Sequence, residues 1–191
     1  MKRRSFIKNS GMAAAAIGLT STKVLSSPLT AATNKLPKWK GFNLTDFFSP
    51  KPLTGNLSTT EDHFKWMQGW GFDFVRIPIA YPCYLDFDRN KDIVPEQVYN
   101  INQKAVEQID SLVTMAHKYG LHVSLNLHRA PGYCINAGFH EPYNLWKDEA
   151  AQKAFYFHWN MWAKRYKNVS RSRISFDLVN EPSMRDDMND Q

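Results

Sequence analysis

The sequence predicts an α/β fold of the (β/α)8 TIM barrel type, of which this chain supplies about the first four strand–helix units. Four apolar strand candidates alternate with helical patterns, which is typical of a parallel sheet covered by helices. The third candidate has one polar and one apolar face. No glycine-rich phosphate loop follows any of the four, so the pattern does not favour a nucleotide-binding fold.

The strand candidates are short apolar segments separated by helical or turn-forming sequence. They are Trp39–Leu44, Phe72–Ile79, His122–His128 and Ile174–Asn180. Three helices are predicted between them. The first follows capping threonines and ends at glycines, the second is one long amphipathic helix over residues 95–119, and the third covers residues 148–166.

The third strand distinguishes a barrel from an open sheet. Its even-numbered positions are His122, Ser124, Asn126 and His128, and its odd-numbered positions are Val123, Leu125 and Leu127. Because successive strand side chains point to opposite faces, one face is polar and the other apolar. An open doubly wound sheet is apolar on both faces. A barrel strand can instead meet helices outside and line a polar interior.

Residues 1–32 are predicted to be an export signal, and residues 33–191 a partial catalytic domain. The first segment has a basic start, the apolar run Met12–Leu19 and then small residues. KRRSFIK resembles the twin-arginine motif, which implies export to a bacterial periplasm or beyond. A general secretory signal or a retained anchor is the alternative.

The net charge of +6 comes mostly from that first segment. Residues 1–32 contain five basic residues and no acidic one, which leaves 19 basic and 18 acidic residues in the rest. A nearly neutral body favours a neutral substrate over a nucleic acid, and no membrane contact is expected after signal removal. Cys83 and Cys134 fit no metal-ligand spacing, and both buried thiols and a disulfide stay open.

The length conflicts with a complete barrel. Such barrels take about 250 residues, and at least about 200, whereas residues 33–191 suffice for four strand–helix units. We therefore expect the chain to be the amino-terminal half of a longer protein. Four units alone would leave unpaired strand edges, so we expect the chain by itself to be poorly stable or to associate.

Polar residues stand at the ends of three strand candidates. Arg76 interrupts FVRIPI, His128 closes HVSLNLH, and Asn180 and Glu181 follow the apolar ISFDLV. Taken singly, Arg76 could be a buried ion-pair partner, His128 a structural histidine, and the Asn180–Glu181 segment a turn. In barrels of this class the reacting groups lie at the carboxyl ends of the strands. Their joint occurrence on three successive strands therefore favours a site.

The segments GFDFVRIPI, LHRAPGY and FDLVNEP, in this order, resemble glycoside hydrolase family 5, the cellulase family. The resemblance covers roughly residues 39–183 and implies retaining hydrolysis of a β-linked polysaccharide, typically a β-glucan, without a cofactor or metal. It implies that Glu181 is the general acid/base and Asn180 the amide that holds the sugar 2-hydroxyl. It further implies that Arg76 supports the nucleophile and that His128 lines the substrate pocket.

The chemistry of that family needs a second carboxylate. A protonated carboxyl assists departure of the glycosidic oxygen, and a carboxylate about 5–5.5 Å away attacks the anomeric carbon. The resemblance implies a glutamate at the end of the seventh strand for that role. This chain contains no seventh strand, so we expect the 191-residue chain alone to be inactive.

Aromatic residues crowd the loops after the second and third strands, and Tyr133 and Trp146 are predicted to line the substrate cleft. HRAPGYCIN is closer to the form found in exo-acting glucanases of the family than to that of many endoglucanases, which adds Asn136 to the substrate-binding candidates. Linkage and endo or exo action stay open.

Two other classes of function compete. A degenerate, non-catalytic carbohydrate-binding barrel would have the same amino-terminal half. A metal or redox protein would use His122, His128, His140 and Cys134, although these residues show no standard ligand spacing.

Overall fold

The computed structural model describes residues 37–49, 57–136 and 140–182. The predicted export signal lies outside the described residues. The described residues form five strands and three α-helices. In chain order they are β1 (Gly41–Asn43), α1 (Glu61–Gly69), β2 (Phe74–Ala80), α2 (Gln103–Lys118), β3 (His122–Ala130), β4 (Tyr133–Cys134), α3 (Glu149–Arg165) and β5 (Ile174–Asp177). Two short 3-10 helices, Tyr81–Tyr84 and Pro95–Tyr99, lie between β2 and α2.

The sheet is parallel, with one short antiparallel addition. β1 pairs with β2, β2 with β3, and β3 with β5, all in parallel register. β4 is the second strand of a hairpin at the carboxyl end of β3. The four predicted strands are therefore confirmed, and β4 was not predicted, because two residues are too short to show an alternating pattern.

One apolar core joins the outer face of the sheet to the helices. Val75, Ile77 and Ile79 of β2, together with Val123, Leu125 and Leu127 of β3, are buried in one cluster with apolar side chains of α1 and α2. The alternate residues of the same strand, His122, Ser124, Asn126 and His128, are also buried, but they are polar. The two faces therefore differ in chemistry as the alternating sequence predicted, with the apolar face toward the helices.

The prediction of one long helix over residues 95–119 was wrong in its first turns. Pro95–Tyr99 forms a 3-10 helix, and α2 begins only at Gln103. Asn102 separates the two because its side-chain oxygen accepts from the Ala105 N–H at 3.1 Å, which is an N-cap. Its own N–H donates to the Tyr84 carbonyl oxygen at 2.9 Å, so the backbone cannot continue as a helix there.

Cys83 and Cys134 are both buried and form no disulfide. Among the helices of the described residues, none is long and apolar enough to cross a membrane.

Candidate active site

The candidate site lies at the carboxyl ends of β2, β3 and β5. Arg76 of β2 is its most connected residue. Its guanidinium donates to the Asp177 carboxylate from Nη2 at 2.8 Å and from Nε at 3.1 Å. The same Nη2 donates to Oδ1 of Asn180 at 2.9 Å. One side chain thus joins two strands that are separated in the sheet by β3.

Asn180 is held by its backbone as well as its side chain. Its N–H donates to the Leu127 carbonyl oxygen at 3.1 Å, which continues the pairing of β5 with β3 past the last residue of β5. Because Oδ1 accepts from Arg76, the orientation of the amide is set. Its Nδ2 is buried and has no partner within the described part of the chain. This amide N–H group is therefore available to a ligand at the candidate site.

His128 lies between Arg76 and the loop that follows β3. The amide of Asn136 contacts Nε2 at 3.2 Å, and the ring of Phe48 packs 4.4 Å from the imidazole. An amide N–H can only donate, so Nε2 accepts and the ring proton lies on Nδ1. That atom is buried and has no partner among the residues the structure describes.

The pKa of His128 depends on burial and on three neighbouring site residues. Burial lowers the pKa of His128, and the positive charge of Arg76 lowers it further. The negative charge of Glu181 and the Asn180 side chain act in the opposite direction but do not outweigh those two effects. Arg76, Asn180 and Glu181 therefore all lie within interaction range of His128.

Glu181 is exposed and has an unusual backbone. Its φ of 44° lies in the left-handed region, where no other non-glycine residue of the described ranges lies. Its carbonyl oxygen accepts a short hydrogen bond from the Tyr133 hydroxyl. Solvent access to the carboxyl group allows a substrate to reach it.

The predicted substrate contacts differ in their exposure. Tyr133 is fully buried, so it has no ring face open to a sugar, and this corrects its predicted role in the cleft. Trp146 is 42% exposed and packs edge-on against Tyr133, with ring centroids 5.4 Å apart. Trp146 also lines a cavity of about 410 Å³ that includes Leu178 and Val179, which directly precede Asn180 and Glu181 in the chain.

Three residues near the site were not assigned roles from the sequence. Asp177 forms an ion pair with Arg76. The sequence offers one indication of this, because Asp177 and Glu181 are four residues apart and would fall on the same face of an extended strand. Phe48 packs on His128, and nothing in its local sequence indicates this. Glu141 forms an ion pair with Arg129 in which both side chains are less than a tenth exposed. Burial of an acid cannot be read from a loop sequence.

The residues of the metal hypothesis are not brought together as a ligand set. Within residues 37–49, 57–136 and 140–182, no group of three or more His, Cys, Asp or Glu side chains could hold a metal ion. His122 is engaged by the Ser172 carbonyl at 3.0 Å and the Ser175 hydroxyl at 2.8 Å, beneath the ring of Trp39.

Comparison with protein families decides the classification. The model of the cellulase family, glycosyl hydrolase family 5, matches residues 29–190. The chain belongs to glycosyl hydrolase family 5. The resemblance carried by the three sequence motifs is thereby confirmed.

Relatives within family 5 agree with this. The chain is 33% identical over 121 residues to cellodextrinase A of Ruminococcus flavefaciens, a match that covers 63% of this chain and 32% of the relative. It is 34% identical over 122 residues to endoglucanase C of Acetivibrio thermocellus, which covers 64% and 32%. The chain thus spans about a third of the length of these curated relatives.

A solved structure confirms the predicted fold class. A crystal structure of a glycoside hydrolase is 38% identical to this chain and superposes with a TM-score of 0.66. The match covers 76% of this chain and 42% of the other. The parallel sheet and its helices are therefore part of the (β/α) barrel typical of family 5.

Proposed function

We propose that this chain carries the acid/base half of a retaining glycoside hydrolase that acts on a β-linked polysaccharide of the β-glucan class. The observation that supports this most strongly is that Arg76 of β2, His128 near the carboxyl end of β3, and Asn180 and Glu181 just after β5 lie close together. Because the chain belongs to a family of glycoside hydrolases, this group of residues favours a catalytic site over an isolated structural ion pair.

Glu181 is the proposed proton donor. A sugar oxygen leaves poorly unless it is protonated while the bond breaks, so the donor must be accessible and fixed in direction. Glu181 is exposed, and the buried amide of Asn180 and the buried imidazole of His128 lie near it. The unpartnered Nδ2 of Asn180 and Nδ1 of His128 are donors suited to sugar hydroxyl oxygens.

We propose that the nucleophile comes from sequence beyond the described residues, in a longer protein of which this chain is the amino-terminal part. A retaining mechanism needs a second carboxylate about 5–5.5 Å from the first. Two carboxylates of the described residues are already engaged in hydrogen bonds. Asp46, after β1, accepts from Ser58 and Thr59, and Asp177, on β5, accepts from Arg76. In the longer protein, Arg76 would also support the nucleophile.

The β-glucan class is supported by what surrounds the site. The relatives named above carry the names cellodextrinase and endoglucanase. The exposed indole of Trp146 is a suitable surface for a sugar ring, because aromatic faces pack against apolar C–H groups. Hydrolysis of β-1,4-glucan, β-1,3-glucan and β-mannan by the longer protein assigns the linkage, and the product lengths assign endo or exo action.

The acid/base role is tested with two leaving groups in the longer protein. Glu181→Gln is expected to lower turnover of phenyl β-cellobioside by about a thousandfold, because the phenolate needs the proton. Bond cleavage with 2,4-dinitrophenyl β-cellobioside should persist, since that leaving group departs as an anion. Added azide should then accelerate turnover and yield a β-glycosyl azide.

The control is Glu149→Gln, which removes an exposed acid at the start of α3 and should leave both rates unchanged. Equal loss with both substrates in Glu181→Gln would contradict the proton-donor role. Binding of glucan without turnover by the unaltered longer protein would indicate the degenerate carbohydrate-binding barrel instead.

We also propose that residues 1–32 direct export through the twin-arginine route in a bacterium. The motif KRRSFIK and the short apolar run support this. Replacement of both Arg3 and Arg4 by Lys should retain the protein in the cytoplasm. Unchanged export of that variant would favour the general secretory route.

A further inference from the structure

Glu181 occupies a backbone conformation that needs external support. A side chain with a Cβ atom is disfavoured at a φ of 44°, and the residue before a proline is restricted to extended conformations. Glu181 precedes Pro182, so both restrictions apply to it. Such conformations persist where the surrounding structure holds them in place. The contacts around this peptide therefore decide where the carboxyl group points.

Those contacts come from both sides of the residue. On the amino side, Asn180 is fixed by the Leu127 carbonyl oxygen and by Arg76. On the carboxyl side, the Tyr133 hydroxyl donates to the Glu181 carbonyl oxygen. Tyr133 is fully buried, so this donor is shielded from water. Loss of its hydroxyl would leave the peptide after Glu181 without this donor.

Tyr133 is itself fixed by a buried network. It pairs with Ala130 in the β4 hairpin, and the preceding Gly132 makes the turn with a φ of 79°. The Gly132 N–H donates to the Glu141 carboxylate at 3.0 Å, and that carboxylate also pairs with Arg129 on β3.

A second tyrosine tightens the same network. The Tyr81 hydroxyl donates to Oε2 of Glu141 at 2.8 Å, so the carboxylate has partners on β3, on the turn and after β2. Glu141 thus ties the hairpin that carries Tyr133 to two neighbouring parts of the barrel. The Tyr133 hydroxyl is held at a defined place over the Glu181 peptide.

We propose that Tyr133 is a positioning residue for proton donation, in that its hydroxyl holds the left-handed Glu181 backbone and so aims the carboxyl group at the leaving oxygen. The inference rests on the proposed function of Glu181. It differs from ring stacking on sugar, because a fully buried ring cannot contact the substrate. The consequence is specific: the step that needs the proton should depend on the hydroxyl, whereas substrate binding should not.

The test compares Tyr133→Phe with Tyr84→Phe in the longer protein. Tyr84 is an equally buried tyrosine whose hydroxyl contacts His158 at 2.9 Å, so it controls for the loss of a buried hydroxyl. Tyr133→Phe should lower kcat for phenyl β-cellobioside by about ten- to a hundredfold. KM, and bond cleavage with the 2,4-dinitrophenyl substrate, should change less than about twofold, since neither needs the aimed proton. Tyr84→Phe should show no difference between the substrates.

The outcomes separate this inference from the proposed function. Equal losses with both substrates, or no loss with either, would overturn the positioning role. If the unaltered longer protein cleaves neither substrate, the proposed function fails, and a crystal structure of Tyr133→Phe then decides only whether the hydroxyl holds the Glu181 backbone. Movement of Glu181 out of the left-handed region supports this backbone role, and an unchanged φ overturns it.

Discussion

Arg76 and Asn180 lie 104 residues apart in the chain and are joined by a hydrogen bond of 2.9 Å between Nη2 and Oδ1. This bond has a functional consequence beyond the connection of two strands. It occupies Oδ1 of Asn180 and so leaves Nδ2 as an unpartnered donor within the described residues, and the same guanidinium places a positive charge near His128. The position of the guanidinium therefore affects Asp177, Asn180 and His128.

Arg76→Lys should impair the site more than the fold. A lysine ammonium is a compact charge without the planar fork that contacts Asp177 and Asn180 together. We expect kcat/KM of the longer protein to fall roughly ten- to a hundredfold because the amide is no longer oriented. Asp177 is 42% exposed, so the free energy of unfolding should change by about 1 kcal/mol or less. Asp177→Asn keeps an acceptor for Arg76 and should lose less activity.

His128 should titrate below the ordinary histidine range, and two substitutions should shift its pKa in opposite directions. Arg76→Gln removes a positive charge and should raise the pKa of His128, whereas Glu181→Gln removes a negative charge and should lower it. NMR titration of the imidazole measures both. The same direction of shift in the two variants would contradict the proximity of these groups.

The lowered pKa of His128 also determines the direction in which the free energy of unfolding changes with pH. A group whose pKa is lower in the folded than in the unfolded state contributes stability that is complete above the unfolded pKa. That contribution is lost as the pH falls below the ordinary histidine value toward the folded one. Replacement of His128 by Gln should remove this part of the pH dependence.

Removal of the buried Glu141 charge should destabilise the protein strongly. Glu141→Gln leaves Arg129 buried without its counter-ion, which costs about 3–5 kcal/mol in comparable pairs. The exposed pair of Glu149 and Lys153 gives a matched control, and Glu149→Gln should leave the urea midpoint unchanged. Equal midpoints for the two variants would show that the buried pair contributes little.

Asp46 should stabilise the loop before α1 in a pH-dependent way. Burial by itself raises the pKa of this carboxyl, but hydrogen bonds from Thr59 and Ser58 outweigh it and leave the pKa lowered. Asp46→Ala should therefore cost about 2 kcal/mol near neutral pH. Because the folded pKa is lowered, this contribution is complete above the unfolded value, about 3.9, and is lost as the pH falls below it. Urea unfolding of both proteins between neutral and acidic pH should show the difference shrinking.

The 191-residue chain alone should not hydrolyse an aryl β-glycoside. Glu181 can supply a proton, but a retaining mechanism also needs a second carboxylate, and Asp177, the acid nearest to Glu181 in sequence within the described ranges, is held by Arg76. Detectable turnover that Glu181→Gln abolishes would contradict this prediction. Activity that appears only in the longer protein would support it.

Much of the fold and of the candidate site could be predicted, because both produce regular sequence patterns. Alternating polarity in HVSLNLH indicated a strand with two different faces, and β3 has them. Parallel strands bring their carboxyl ends to one edge of the sheet, so Arg76, His128 and Glu181 could be grouped without coordinates. The start of α2 was mispredicted because Asn102 caps the helix through contacts that periodicity does not show.

The sequence by itself determined the strand–helix order, the family and which polar residues stand at the strand ends, because these depend on local pattern and motif. Only the tertiary structure decided that Tyr133 is buried beneath Trp146 and bonded to the Glu181 peptide, and that Asp177 pairs with Arg76. Burial and partner choice arise from distant segments that pack together. The residue type at one position does not show which distant segment will pack against it.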